Sequence, residues 1–423
     1  MSSIREVVIT GLGVVSPIGI GVDAFWNSLL SGRSGVKPVA AFPTNGLPVH
    51  FGGEITDFDG KQYITPRKSL KVMSREIQFA VAAAGMATRH AALTPGAVDP
   101  ERLGVIFGAE LMHTPPEEIE SAYRASAMDR RFDIRRWGEA AMREIFPLWM
   151  LKYLPNMPAC HIGIAHDARG PNNSITLGEA SSLMALAEAA HVIERGQADA
   201  MIAGGVGSWL SATAFVRSQQ LDASQRNAAP EKACRPFDSD RDGRVHGEGA
   251  AAFVLETAAS AAARHAPVLA RFMGASSAFE PVTPSRPLRG DAIRRVLCGA
   301  LAAARWDSKE LGHLNAHGAS TRSGDAMEAD AIRATLGDLP VTAPSSYFGN
   351  LGPGGGAVEL LATILAFQHD LVPTTLNFER PDPSCPVNVV ADQPLIGAAA
   401  RAVTLNYART GQAVAIALAG SSH

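Results

Sequence analysis

Cysteine is scarce and scattered in this chain. Its 423 residues hold only four, Cys160, Cys234, Cys298 and Cys385, and no two of them form a C-x-x-C pair. Neither a disulfide framework nor a thiolate zinc site fits that spacing, so a reduced, cytoplasmic protein without a metal is expected. Long apolar runs are also missing: none approaches the ~20 residues that span a bilayer. Met1-Ser-Ser-Ile-Arg-Glu6 leads straight toward a strand, not a secretory signal, so no membrane attachment is expected. A formal charge of −3 leaves no basic footprint for nucleic acid and no polybasic face for anionic lipid. Apolar residues at 46%, against 19% charged, are enough for a large buried core, either in one α/β unit or in two fused halves.

One cofactor signature is incomplete. Residues 6–11 (EVVITG) read as a strand, and 12–19 (LGVVSPIG) as a loop into a helix over about 23–30. Gly11-x-Gly13 after a strand invites a dinucleotide-binding reading, in which backbone amides cradle a pyrophosphate. The third glycine is absent, Pro17 interrupts the loop, and the ribose-binding acid expected about twenty residues on is missing. A structural turn is the better reading, and no cofactor is expected.

What the chain does carry is centred on residues 173–205, NSITLGEASSLMALAEAAHVIERGQADAMIAGG. Thr176, with Glu179 three residues on, opens an apolar-periodic run (Leu183, Leu186, Ala187, Ala190, Ile193), the pattern of a capping box at a helix start. Gly196 closes that helix, and residues 199–205 form a short buried strand. Glu179 is thus either a functional group at a helix start or simply its cap.

Before that stretch, residues 38–66 look like surface loop, 73–90 an alanine-rich helix and 103–108 a strand. Residues 113–153 turn charged and aromatic, which fits amphipathic helices outside the main sheet, serving as a lid or subunit contact or presenting a solvated face. After it, the Asp/Arg/Gly-dense loop 235–249 has calcium-like Asp-x-Asp spacing but lacks the bidentate acid twelve positions on, so a salt-bridged loop is expected. A strand over 268–277 and a helix near 291–305 follow. Residues 313–318 read as a strand ending in His317, then a helix through Glu328. A glycine-rich turn at 345–356 opens a second thin helix over 357–368, and two strands, 402–405 and 413–419, close the chain. The halves echo each other, each with a strand start, a glycine-rich turn into an Ala/Leu helix and a terminal Ala/Gly strand, which suggests two fused α/β halves with the thin helices buried between their sheets.

With these pieces placed, the sequence resembles the β-ketoacyl-acyl carrier protein synthase family over essentially its full length. The motifs that carry the resemblance are VVITGLGVVSPIG at the start, IERGQADAMIAGG, RPFDSDRDGRVHGEGA and NAHGASTRSGDAMEAD. It implies a thiolase-type α/β fold, two pseudo-symmetric halves in a five-layered αβαβα sandwich. The halves are expected at 1–258, with a lid or dimer-contact insertion at about 113–158, and at 259–423. The implied partners are an acyl carrier protein and a second subunit, in a homodimer or in a heterodimer with a ketosynthase.

The resemblance also exposes departures. Condensing members carry T-A-C-(S/A)-S-S, whose cysteine holds the acyl chain; here LGEASS at 177–182 puts Glu179 in that place. His317 matches the first family histidine, with Asp325 and Glu328 as supporting residues. The family motif K-S-x-x-G-H becomes SSYFGN, so Ser345 replaces the lysine and Asn350 the second histidine. Ala408, Arg409 and Thr410 occupy the gating or oxyanion loop, without its phenylalanines. Cys-His-His thus becomes Glu-His-Asn.

A carboxylate at a helix start is stabilised as a thiolate would be. Its acyl product, however, is a labile mixed anhydride, so two-step condensation should be lost. His317 and Asn350 can still donate hydrogen bonds to a thioester oxygen that becomes an enolate during malonyl decarboxylation. Glu179 can mimic the glutamine of non-condensing members if protonated, repels a malonyl carboxylate if ionised, or acts as a general base. Bland readings stay open: a packed core histidine for His317, a left-handed turn residue for Asn350 and a plug for Arg409. Two functions compete. One is an enzyme acting on carrier-bound acyl or malonyl groups by decarboxylation or acyl transfer; the other is a non-catalytic, chain-length-factor-like subunit.

Overall fold

The computed structural model describes residues 5–218, 222–397 and 400–421. The leading residues 1–4 lie outside this range. In the first half, strands β1 (Val7–Ser16), β2 (Leu103–Gly108), β3 (Asn172–Ile175), β4 (Ala200–Ser208) and β5 (Glu248–Thr257) lie in the order β1-β5-β4-β2-β3. The second half repeats that order with β6 (Ala270–Phe279), β7 (His313–Asn315), β8 (Pro340–Thr342), β9 (Arg401–Tyr407) and β10 (Gln412–Gly420), arranged β6-β10-β9-β7-β8. In each half the first two ladders are antiparallel and the last two parallel. The first strand of each half even carries a register shift at the same place, Ile9/Gly11 in β1 and Phe272/Gly274 in β6. The halves join edge to edge where Val7–Ile9 pairs antiparallel with Ala270–Phe272.

Helices fill and cover this frame. Helix α1 (Arg75–His90) and helix α2 (Met157–His166) pack with alternate residues of β1, β2, β4 and β5 in one outer core. Helix α3 (Ser181–Glu194) and its counterpart α6 (Gly355–His369) lie between the sheets, where Leu183, Leu186, Leu360 and Leu361 share one core with Ile9, Phe253 and Ile416. Helices α4 (Asp291–Ala304) and α5 (Arg322–Leu336) cover the far side of the second sheet. The result is a thiolase-like α/β sandwich of five layers. The central helices are thin for a reason visible at Gly205, where an added Cβ would stand 2.4 Å from Ser182 Cβ.

Two expectations are corrected here. Residues 12–16 are not loop but the continuation of β1. The glycines that suggested a turn sit in the strand because α1 runs across it: a Cβ on Gly11 would lie 2.2 Å from the Ala87 carbonyl oxygen, and one on Gly13 2.1 Å from that of Ala83. Gly196 does terminate α3, at φ 76°, with its amide and that of Gln197 returning to Ile193 and Val192.

Segment 113–153 holds short helices, Glu120–Ala125 and Ile134–Glu144, tied by the Tyr123, Phe132 and Trp137 rings. Ile134, Met142, Leu148 and Met150 remain exposed. Among the described residues no helix is long and apolar enough to cross a membrane, and no His/Cys/Asp/Glu group could hold a metal ion.

Candidate functional site

The turn from β3 into α3 sets the site. Gly178 adopts φ 59°, and the turn is tied by Ser181, whose hydroxyl donates to the Gly178 carbonyl (2.6 Å) and accepts from the Leu177 amide (2.8 Å). The expected capping box is therefore absent: α3 begins at Ser181, its first residues receive no side-chain cap, and Glu179 points elsewhere. It is buried against Arg244, whose Nη1 donates to Glu179 Oε1 over 3.0 Å. A partner that can neutralise a buried carboxylate outcompetes a local cap.

Arg244 comes from loop 235–249, which is salt-bridged as its composition suggests. Arg235 pairs with Asp238, and Arg241 with Asp382 and Asp325. The loop is stitched to the glycine-rich turn of the other half: the Asn350 amide donates to the Val245 carbonyl (2.7 Å), and the Gly247 amide to that of Asn350 (2.9 Å). Left-handed backbone falls on Gly349 and Gly352, not on Asn350. Asn350 Oδ1 accepts from the Gly352 amide (2.7 Å) and Trp209 Nε1 (3.3 Å), which turns its Nδ2 toward Glu179 Oε1 at 3.5 Å.

His317 stands two residues beyond β7, buried, with its ring edge-on to Tyr407 at 4.7 Å between centroids. Glu328 fixes the backbone beneath it by accepting from the His317 amide (2.8 Å) and the Gly318 amide (3.0 Å). Asp325 accepts from the Phe237 amide (2.8 Å), locking loop 235–249 to α5. Ser345 is buried and donates to the Gly318 carbonyl (2.9 Å), a structural tie between two motif loops. In the β9–β10 turn, Arg409 and Thr410 are exposed, while the Ala408 amide donates to the Gln412 carbonyl over 2.8 Å and so is not a free oxyanion donor.

The electrostatics follow from burial. Burial alone would raise the Glu179 carboxyl, but the Arg244 guanidinium, with backbone donation, outweighs it, so Glu179 is held below the usual carboxylate range and is ionised at neutral pH. Burial pushes His317 down to about 4, with Glu179 pulling it up and Arg244 pushing it further down, leaving a neutral imidazole. Among the described residues its Nδ1 has no hydrogen-bond partner. Burial raises Glu328 to about 8, assisted by Asp325, and Asp325 itself to about 6.

A cavity of about 330 Å³ opens onto Glu179, walled by Glu110, Gly178, Trp209, Arg244, His246 and Arg409. The geometry thus brings together Glu179, Asn350 and the outer turn, with His317 close enough to feel the Glu179 charge. Sequence reasoning missed Arg244, Trp209 and Glu110. Glu110 left a readable signal, a carboxylate after a buried strand, and Arg244 lay in the loop expected to be salt-bridged, without a partner assigned to it.

The comparisons with known proteins agree with this architecture. The family model "Beta-ketoacyl synthase, N-terminal domain" matches residues 4–261 and "Beta-ketoacyl synthase, C-terminal domain" residues 269–379. The chain belongs to the β-ketoacyl synthase family. It is 34% identical over 397 residues to 3-oxoacyl-[acyl-carrier-protein] synthase 2 of Coxiella burnetii, covering 92% of each chain. Among solved structures it superposes on the ishigamide ketosynthase/chain length factor with a TM-score of 0.86 at 28% identity, covering 99% of this chain and 100% of that one. A beta-ketoacyl synthase from Burkholderia phymatum STM815 gives a TM-score of 0.88 at 26% identity, covering 98% of this chain and 99% of that one.

Proposed function

We propose that this protein is a non-condensing member of the family, a subunit that pairs with a cysteine-bearing ketosynthase, receives carrier-bound acyl groups and shapes the space they occupy without forming an acyl-enzyme. The observation that carries this reading is the buried Glu179–Arg244 pair at 3.0 Å. A carboxylate so held is a poor nucleophile and a weak base, and its acyl product would be a mixed anhydride. Two of the donors that would stabilise an enolate are turned elsewhere: Asn350 Nδ2 faces Glu179, and the Ala408 amide closes its own turn. Segment 113–158, with its exposed Ile134, Met142 and Met150, is assigned to the subunit contact. The likeness to a ketosynthase/chain length factor, and to a type II ketosynthase described in complex with its acyl-carrier protein, supports both partners.

A second reading, decarboxylation of malonyl groups with His317 as hydrogen-bond donor, draws on the cavity that reaches Glu179. Co-expression with a cysteine-bearing ketosynthase separates the two. Stable co-purification, with no carbon dioxide released by this chain alone, supports the subunit. Purification without any partner, with carbon dioxide release that His317→Ala abolishes, overturns it.

A further inference from the structure

The cavity in front of Glu179 contains a second carboxylate that the Glu-His-Asn reading leaves unused. Glu110 stands two residues beyond β2, is half-buried, and lines the same cavity as Glu179. Its carboxylate accepts from the Gly178 amide, and its Oε1 lies 3.9 Å from where a Gly178 Cβ would stand. The two acids of this cavity, Glu110 and Glu179, face two arginines, of which only Arg244 is buried. Arg244 is committed to Glu179, and Arg409 lies in the exposed turn at the mouth. His246, pushed down to about 3 by burial, adds no charge at neutral pH. Burial and the nearby Glu179 both push the Glu110 carboxyl up, as expected of two acids sharing one fixed counter-charge.

We propose that Glu110, together with Glu179, is the specificity-determining residue of this cavity, and that the cavity admits neutral acyl thioesters while rejecting a malonyl group. This rests on the reading that the cavity receives carrier-delivered acyl groups. Acetyl and malonyl thioesters share the same pantetheine arm and differ by one carboxylate, which in this pocket meets two acids and no uncommitted buried cation. Like charges within several ångström of one another in a partly buried site cost about tenfold or more in affinity.

Calorimetric titration of the full chain with amide analogues of acetyl- and malonyl-pantetheine tests the assignment. Wild type should bind the acetyl analogue at least about tenfold more tightly. Glu110→Gln should bring the two affinities together by raising that for the malonyl analogue, while retained acetyl binding reports an intact pocket. Glu110→Asp, which keeps the charge, should keep the preference. Equal or tighter malonyl binding by wild type, an unchanged ratio in Glu110→Gln, or a lost preference in Glu110→Asp overturns the role of Glu110 alone. Binding of neither analogue overturns the underlying reading of the cavity as well.

Discussion

Arg244 Nη1 donates to Glu179 Oε1 across 3.0 Å, and the two side chains keep only 8% and 10% of their surface exposed. Removing one partner leaves a buried charge with nothing to answer it, whereas replacing both by apolar groups removes the problem. Arg244→Met should therefore destabilise the fold by about 3–5 kcal/mol, and Glu179→Leu combined with Arg244→Met by much less. Urea unfolding of the two single variants and the double variant reads the coupling directly. Additive losses would mean that the pair is not a unit.

Gly13 tests why the first glycine pair exists. Its missing Cβ is replaced by α1 backbone, with the Ala83 carbonyl oxygen 2.1 Å and the Ala87 amide nitrogen 2.6 Å from where the methyl would stand. Backbone on both sides cannot move aside as a flexible side chain could. Gly13→Ala should lower the thermal midpoint by many degrees, reflecting a loss of about 2 kcal/mol or more. A near-neutral substitution would contradict packing as the reason for this glycine.

Acid sensitivity should come in part from His313, buried with neither ring nitrogen hydrogen-bonded among the described residues. Burial pushes its pKa down to about 4, so between that value and the ordinary value near 6.5 the unfolded chain binds the extra proton and the folded chain does not. Its contribution to stability is intact above about pH 6.5 and lost as pH falls toward about 4. Compared with wild type, His313→Leu should gain on the order of 2–3 kcal/mol in relative stability between pH 7 and pH 4. Unfolding curves at both pH values check this, and parallel pH dependence of the two proteins would count against it.

Local patterns made much of the framework readable. The alanine-rich α1, the thin α3 and α6, and the repeated order of motifs all follow from periodicity and punctuation within short windows. The failures share a cause at a distance. Thr176 and Glu179 have the spacing of a cap, but Glu179 answers to Arg244, 65 residues later, and Ser181 ties the turn instead. Gly11 and Gly13 resemble turn residues until α1 is seen lying across them. His317 and Asn350 were legible through family resemblance. Arg244, Trp209 and Glu110 enter the cavity only once strand ends from separate segments are brought together.

The central claim, that no acyl group is stored on this chain, is tested most directly by intact-protein mass spectrometry after incubation with acyl- and malonyl-loaded carrier protein. Wild type should show no added mass. Glu179→Cys should gain one acyl group, because Arg244 beside the new thiol favours the thiolate. A stable acyl adduct on wild-type protein that maps to Glu179 would contradict the account.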